Sequence, residues 1–95
     1  MFVVLLKFAA NRAQAAAHLE GHKAWLQHGF ADGVFLLAGS LKPDLGGAIL
    51  AHGTSSGDLA ARVEADPFVA HGVVSAEILD IAAARTDARL GFLAA

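Results

Sequence analysis

The sequence predicts an α+β fold of the ferredoxin-like kind, a βαββαβ plait with a four-stranded antiparallel sheet and two helices on one face. Two observations predict it. Short apolar stretches rich in Val, Leu, Ile and Phe alternate with an alanine-rich segment and a capped amphipathic segment, in the order β-α-β-β-α-β. Strand–helix–strand crossovers are right-handed, and two of them in this order leave the plait as the arrangement. The 95 residues suit one hydrophobic core, so the expectation is a single domain over 1–95 with residues 84–95 as a C-terminal extension.

Phe2 to Phe8 is a short run of β-branched, aliphatic and aromatic residues and reads as the first strand, the chain turning at Asn11. From Asn11 to about His28 the pattern becomes helical, and Gly29 suits the left-handed residue that closes a helix. Val34–Ala38 reads as a second strand stopped by Gly39-Ser40. Lys42-Pro43-Asp44-Leu45-Gly46-Gly47 is a turn, and Ala48–His52 a third strand completing a hairpin. Ser55, followed three residues later by Asp58, is an acidic variant of the capping box. It predicts a helix over Ser56–Ala65 with Leu59, Ala60 and Val63 on one face, ended by Asp66-Pro67. Phe68–Gly72 reads as a connecting turn. Val73–Ala83 is the fourth strand, with Val74, Ala76 and Ile78 alternating against Ser75 and Glu77 and a phase slip that places a bulge before Asp80. Arg85–Ala95 receives no assignment.

Composition narrows the function classes. Hydrophobic residues make up 56% and charged residues 17%, which excludes disorder. The net charge of −2 is scattered singly, and phosphate binding needs clustered Lys or Arg, so nucleic acid is not an expected partner. With no cysteine there are no disulfides, thiolate metal sites or Cys nucleophile. The apolar runs are shorter than the ~20 residues of a membrane helix, and the N-terminal run lacks a positive n-region, so the expectation is a cytoplasmic protein without a membrane partner.

Val3-Val4-Leu5-Leu6, Val34-Phe35-Leu36-Leu37 and Ile49-Leu50 are apolar on both alternating faces. Continuous apolar strands imply burial on both sides, whereas two helices roof one face. The other face would expose several hundred Å² (~300–600) of apolar surface, about what a monomer tolerates. A homodimer through the sheet face is therefore predicted.

Five histidines and no tyrosine make His the candidate for acid–base work near neutral pH. On the first helix Ala15, Leu19, His22 and Leu26 form one stripe, so His22 points with the residues that pack on the sheet. Two readings of it stand: a catalytic imidazole, or a stripe-edge histidine satisfied by a carbonyl or water. His18 lies one turn earlier, but a His pair at this spacing lacks a third metal ligand, and no metal or other cofactor is expected. Asp66 is either a local turn stabiliser before Pro67 or a carboxylate that orients His22, since both helices lie on one face of the plait. Gly46-Gly47 precedes a strand and forms no phosphate loop, and neither Ser40 nor Ser55 sits in a nucleophile elbow. Trp25 and Phe68 read as packing residues.

Several of these segments together resemble the YciI-like, or YCII-related, family of small bacterial proteins. The resembling pieces are Phe2-Val3-Val4-Leu5-Leu6, His22, Gly33-Val34-Phe35-Leu36-Leu37-Ala38-Gly39, the Ser55-led helix, Asp66-Pro67-Phe68 and Gly72-Val73, up to about Ile81. His22 stands eleven residues before Gly33 and seventeen before Gly39, the spacing of the family's helix histidine. The resemblance implies a dimeric α/β-barrel and a histidine–aspartate active-site pair that falls on His22 and Asp66. Two departures are visible: Ser40 stands where the family usually has Pro after Ala-Gly, and Leu19 where members often carry Arg. The wider superfamily includes isomerases, dehydrochlorinases and monooxygenases that act on small molecules without a metal.

The resulting expectation is a cofactor-independent lyase or isomerase for a small molecule. His22 would be the general base, Asp66 its orienting carboxylate, and Ser40 and Phe68 the substrate-binding residues lining an apolar pocket. The alternative from another class is a non-catalytic ligand-binding or accessory dimer in which the same groups satisfy each other.

Overall fold

The computed structural model describes residues 1–94. Strand β1 is Phe2–Phe8, helix α1 Ala15–Ala31, β2 Phe35–Leu41, β3 Gly46–Ala51, α2 Ser56–Glu64, α3 Pro67–Ala70 and β4 Val74–Asp80. The strands form one antiparallel sheet in the order β2-β3-β1-β4, the plait the sequence predicts. Short 3₁₀ turns precede α1 at Arg12–Gln14 and occupy Ala88–Leu93 of the tail. Among the described residues no helix is long and apolar enough to cross a membrane.

Alternation along β1 sorts the sheet into two faces. Phe2, Val4 and Leu6 are buried with Ile49, Ala51 and Val74 beneath the helices, where Trp25 of α1 and Leu59 and Val63 of α2 complete the core. The intervening residues share the opposite face: Val3 pairs with Leu50 and Leu79, and Leu37 pairs with Leu50. On that face Leu37 is 52% and Leu79 43% exposed among the described residues.

Local signals explain most element ends. The Ser55 hydroxyl accepts the Asp58 N–H at 3.1 Å and starts α2, as the capping pattern predicts. Several expectations are corrected. Gly29 does not end α1: the helix runs on to Ala31, and Gly33, at φ +74°, takes the left-handed position. Gly29 is instead buried against the Phe35 ring, where a Cβ would lie 2.1 Å from Cδ2, so its lack of a side chain rather than its φ suits it to that position.

Gly39-Ser40 does not stop β2, which continues to Leu41, because ladder pairing with Ala48 and Gly47 outweighs weak strand propensity. Correspondingly β3 starts at Gly46 and ends at Ala51, before His52. Phe68–Gly72 is not simply a turn, since Asp66 caps the one-turn helix α3 with Pro67 at its first position. Strand β4 ends at Asp80, short of Ala83, in continuous register with β1; the irregularity lies in β2, between Phe35 and Leu37. In the unassigned tail, Phe92 packs its ring edge-on against His52 at 5.3 Å.

Candidate active site

The stripe that α1 presents to the core is Trp25, Leu26 and Gly29, with His22 at its edge. Leu19 does not join that core; it is 39% exposed and lines a cavity between α1 and the sheet. Trp25 is fixed by an indole N–H bond to the Arg62 carbonyl at 2.8 Å and by edge contact with Phe35 at 5.1 Å. Its ring stands 5.8 Å from that of His22 and bounds the imidazole on one side.

On the other side α3 supplies the rest. Asp66 leaves α2 in extended conformation, and its Oδ1 accepts the Phe68 N–H at 3.0 Å, an N-cap that the Asp-Pro sequence encodes locally. The same oxygen meets His22 Nδ1 at 2.8 Å. Facing a carboxylate, Nδ1 donates, so the proton sits on Nδ1 and Nε2 is the ring atom left to act on a ligand. The Phe68 ring lies flat on the imidazole, 4.1 Å away and 6° from parallel. The imidazole is thus held by one hydrogen bond and two aromatic neighbours.

Burial separates the two partners. Asp66 is 0% exposed while the His22 side chain retains 14%, which places the imidazole between the buried carboxylate and the cavity. The other carboxylate oxygen, Oδ2, is buried without a hydrogen-bond partner among the described residues. A buried carboxylate held through one oxygen is costly unless paired, so the His22 bond is the main compensation it receives.

The cavity has a volume of about 350 Å³. Leu19, His22 and Leu26 of α1 and Phe68 of α3 cover it; Leu6, Phe8, Ile49 and Val74 give it an apolar floor. Ser40 and Gly47, paired across β2 and β3, form its far wall. Its size and lining are those of a small-molecule site, mostly apolar with a few polar groups. The chain therefore brings together all four residues singled out from sequence: His22 and Asp66 are bonded, Phe68 stacks on His22, and Ser40 and Phe68 both line the cavity.

Two arrangements lay beyond sequence reading. His18 does not pair with His22; its ring stacks on His71 at 3.9 Å and 7°. Arg12 reaches Asp44 and lies over the Phe8 ring at 3.9 Å, rather than entering the cavity. Neither contact has a sequence signal, because both join residues from separate elements. Among the described residues no three His, Asp or Glu side chains gather as a metal site would require.

A four-stranded plait with a roofed apolar cavity and a helix histidine bonded to the cap of a short second-layer helix defines a class of small α+β proteins. Residues 1–82 match the family model of the YCII-related domain, and the chain belongs to that family. Among solved structures the fold is shared by 5-chloro-2-hydroxyhydroquinone dehydrochlorinase (TftG) from Burkholderia phenoliruptrix AC1100, in complex with 2,5-dihydroxybenzoquinone. The two superpose with a TM-score of 0.67 at 15% identity, over 85% of this chain and 93% of that one. Among curated proteins no sequence matches this chain.

Proposed function

We propose that this protein is a small-molecule enzyme of lyase or isomerase type, moving one proton with His22 as general base and Asp66 as its orienting carboxylate. The observation that carries this reading is the 2.8 Å bond between His22 Nδ1 and a fully buried Asp66 at the wall of an apolar cavity. With Nδ1 committed to the carboxylate, Nε2 accepts a proton from a substrate C–H or O–H, and the carboxylate stabilises the imidazolium that forms. The proton is then returned at another atom for isomerisation, or retained while a leaving group departs for elimination. Positioned acid–base catalysis of this kind contributes roughly 10²–10⁴-fold in rate. Ser40 supplies the cavity wall with a hydroxyl that can hold a substrate oxygen, and Phe68 keeps the imidazole flat. The fold neighbour is a 5-chloro-2-hydroxyhydroquinone dehydrochlorinase, and the proton lost in such a dehydrochlorination is one that a base of this kind would take, which supports the reading.

The same proposal includes a second copy of the chain. The unroofed sheet face carries Val3, Leu5, Leu37, Leu50 and Leu79, and a twin sheet covering it would give both faces the burial that their apolar residues favour.

The test is a thermal-shift and turnover screen of 5-chloro-2-hydroxyhydroquinone, small aromatic acids and lactones on the wild type and on His22→Ala. The expected result is a compound converted by the wild type, still bound by His22→Ala and no longer converted. A compound bound equally by both proteins and converted by neither would instead establish a binding module.

A further inference from the structure

Glycine is among the poorest residues for a helix interior, so Gly21, in the middle of the 17-residue helix α1, calls for a packing reason. Its neighbour across the interface is Pro67, the residue after Asp66. A Cβ at position 21 would lie 3.0 Å from Pro67 Cγ and 3.6 Å from Pro67 Cβ. The first distance is well inside the optimal separation of two carbon atoms, so one of them must move.

Positions 18, 21 and 22 share one face of α1, and each meets a residue of the α3 segment. His18 lies on His71, Gly21 on Pro67 and His22 on Phe68. The flanking ring stacks, at 3.9 and 4.1 Å, are already in contact and leave no slack between the helices. Nor can the carboxylate be re-aimed independently of α3. Oδ1 is held by the Phe68 N–H, the Asp66 carbonyl accepts the Ala70 N–H at 2.8 Å, and the Asp66 N–H donates to the Val63 carbonyl at 3.1 Å. The proline ring is closed onto its own backbone; it can pucker but cannot swing aside. The separation of His22 from Asp66 is therefore set by how closely α3 approaches α1.

We propose that Gly21 is a positioning residue for the His22–Asp66 pair: its bare Cα admits the Pro67 ring and so lets the carboxylate reach Nδ1. Gly21 does not line the cavity and acts only through the approach of the two helices. The effect on turnover rests on the catalytic reading above, whereas the effect on the hydrogen bond does not. Displacing α3 by a few tenths of an ångström lengthens the bond and tilts the base, and misplacement on this scale lowers kcat by about tenfold.

The experiment reads the ¹H and ¹⁵N shifts of the His22 Nδ1–H, together with steady-state kinetics on the substrate found by the screen. The variants are Gly21→Ala, Gly21→Ala with Pro67→Ala, and Gly57→Ala. Gly57 is the matching control: it lies in α2, and a Cβ there meets nothing within 4 Å. Gly21→Ala is expected to move the Nδ1–H resonance upfield and lower kcat about tenfold with KM nearly unchanged. Gly57→Ala should change neither. Adding Pro67→Ala removes the atom at 3.0 Å and should restore both readings; if Gly21→Ala alone fails to fold, recovery of a native resonance in the double variant carries the same weight. An unmoved resonance in Gly21→Ala, or no recovery in the double variant, overturns the proposal. A moved resonance with unchanged turnover upholds the positioning role and ends the catalytic reading instead.

Discussion

Replacing Asp66 by Asn keeps the shape of the side chain and removes its charge. In the wild type Oδ1 accepts from the Phe68 N–H at 3.0 Å and from His22 Nδ1 at 2.8 Å, while Oδ2 has no partner among the described residues. An amide oxygen in the Oδ1 position accepts both bonds, and Asn caps a helix as well as Asp does. The bonds become neutral and about half as strong, a loss of roughly 1–2 kcal/mol. The amide N–H groups that replace Oδ2 cost about 1–3 kcal/mol if they find no acceptor. Relief from desolvating a buried carboxylate, several kcal/mol before its partners are counted, acts in the opposite direction.

The stability of Asp66→Asn is therefore expected within about 2 kcal/mol of the wild type by urea unfolding. Asp66→Ala loses the cap, about 1 kcal/mol, and strands the His22 donor, about 1–3 kcal/mol more. Turnover should behave differently. A carboxylate and an imidazolium about 4 Å apart attract by about 4 kcal/mol at an effective dielectric near 20. With the proton half transferred, about 2 kcal/mol of that is missing from the Asn transition state, or about 30-fold in kcat. Steady-state kinetics beside the urea curves separate the two effects. Unchanged turnover in Asp66→Asn would show that the charge of the carboxylate plays no part in catalysis, and an Asn variant as unstable as the Ala variant would show that the amide keeps neither the cap nor the His22 bond.

Other expectations concern packing, assembly and charge. Gly29→Ala drives a methyl group into the Phe35 ring at 2.1 Å and should destabilise the fold by about 2 kcal/mol net of improved helix propensity, measured by urea unfolding. Leu37→Glu puts a charge on the unroofed sheet face, and light scattering at micromolar concentration should show a dimer for the wild type and a monomer for the variant; a wild-type monomer would remove the twin sheet from the proposal. The Arg89 guanidinium and N–H beside Asp87 hold its carboxyl below the usual aspartate range. A folded-state value below the unfolded one gives stability that is present above the unfolded value and lost as pH falls through the folded one. An NMR titration should find Asp87 protonating at higher pH in Arg89→Ala than in the wild type.

Much of the site was legible because its signals are local. The Asp66-Pro67 dipeptide announces a chain reversal, and the spacing of His22 from Leu19 and Leu26 shows that the imidazole points toward the sheet. Their meeting is a tertiary event across 44 residues of sequence separation. The plait made it geometrically open, and the close approach of α1 and α3 made it a bond. The reading failed where one residue type serves two physical ends. Gly29 has the composition of a helix terminator and the task of admitting a phenyl ring; Gly39-Ser40 reads as a strand breaker yet pairs in the ladder as cavity wall. Phe68 packs against the core and lines the cavity as the sequence suggests, but its stacking on the imidazole has no local signal.

The order of elements, the sheet with one apolar face too many and the candidate base were determined by sequence alone, because periodicity and capping act over a few neighbouring residues. Tertiary structure decided the helix approach, the stacking of His18 on His71 and of Phe68 on His22, and the cavity beside them. Those depend on distances between elements far apart in the chain, which side-chain volume at positions such as Gly21 and Gly29 sets only after the elements have packed.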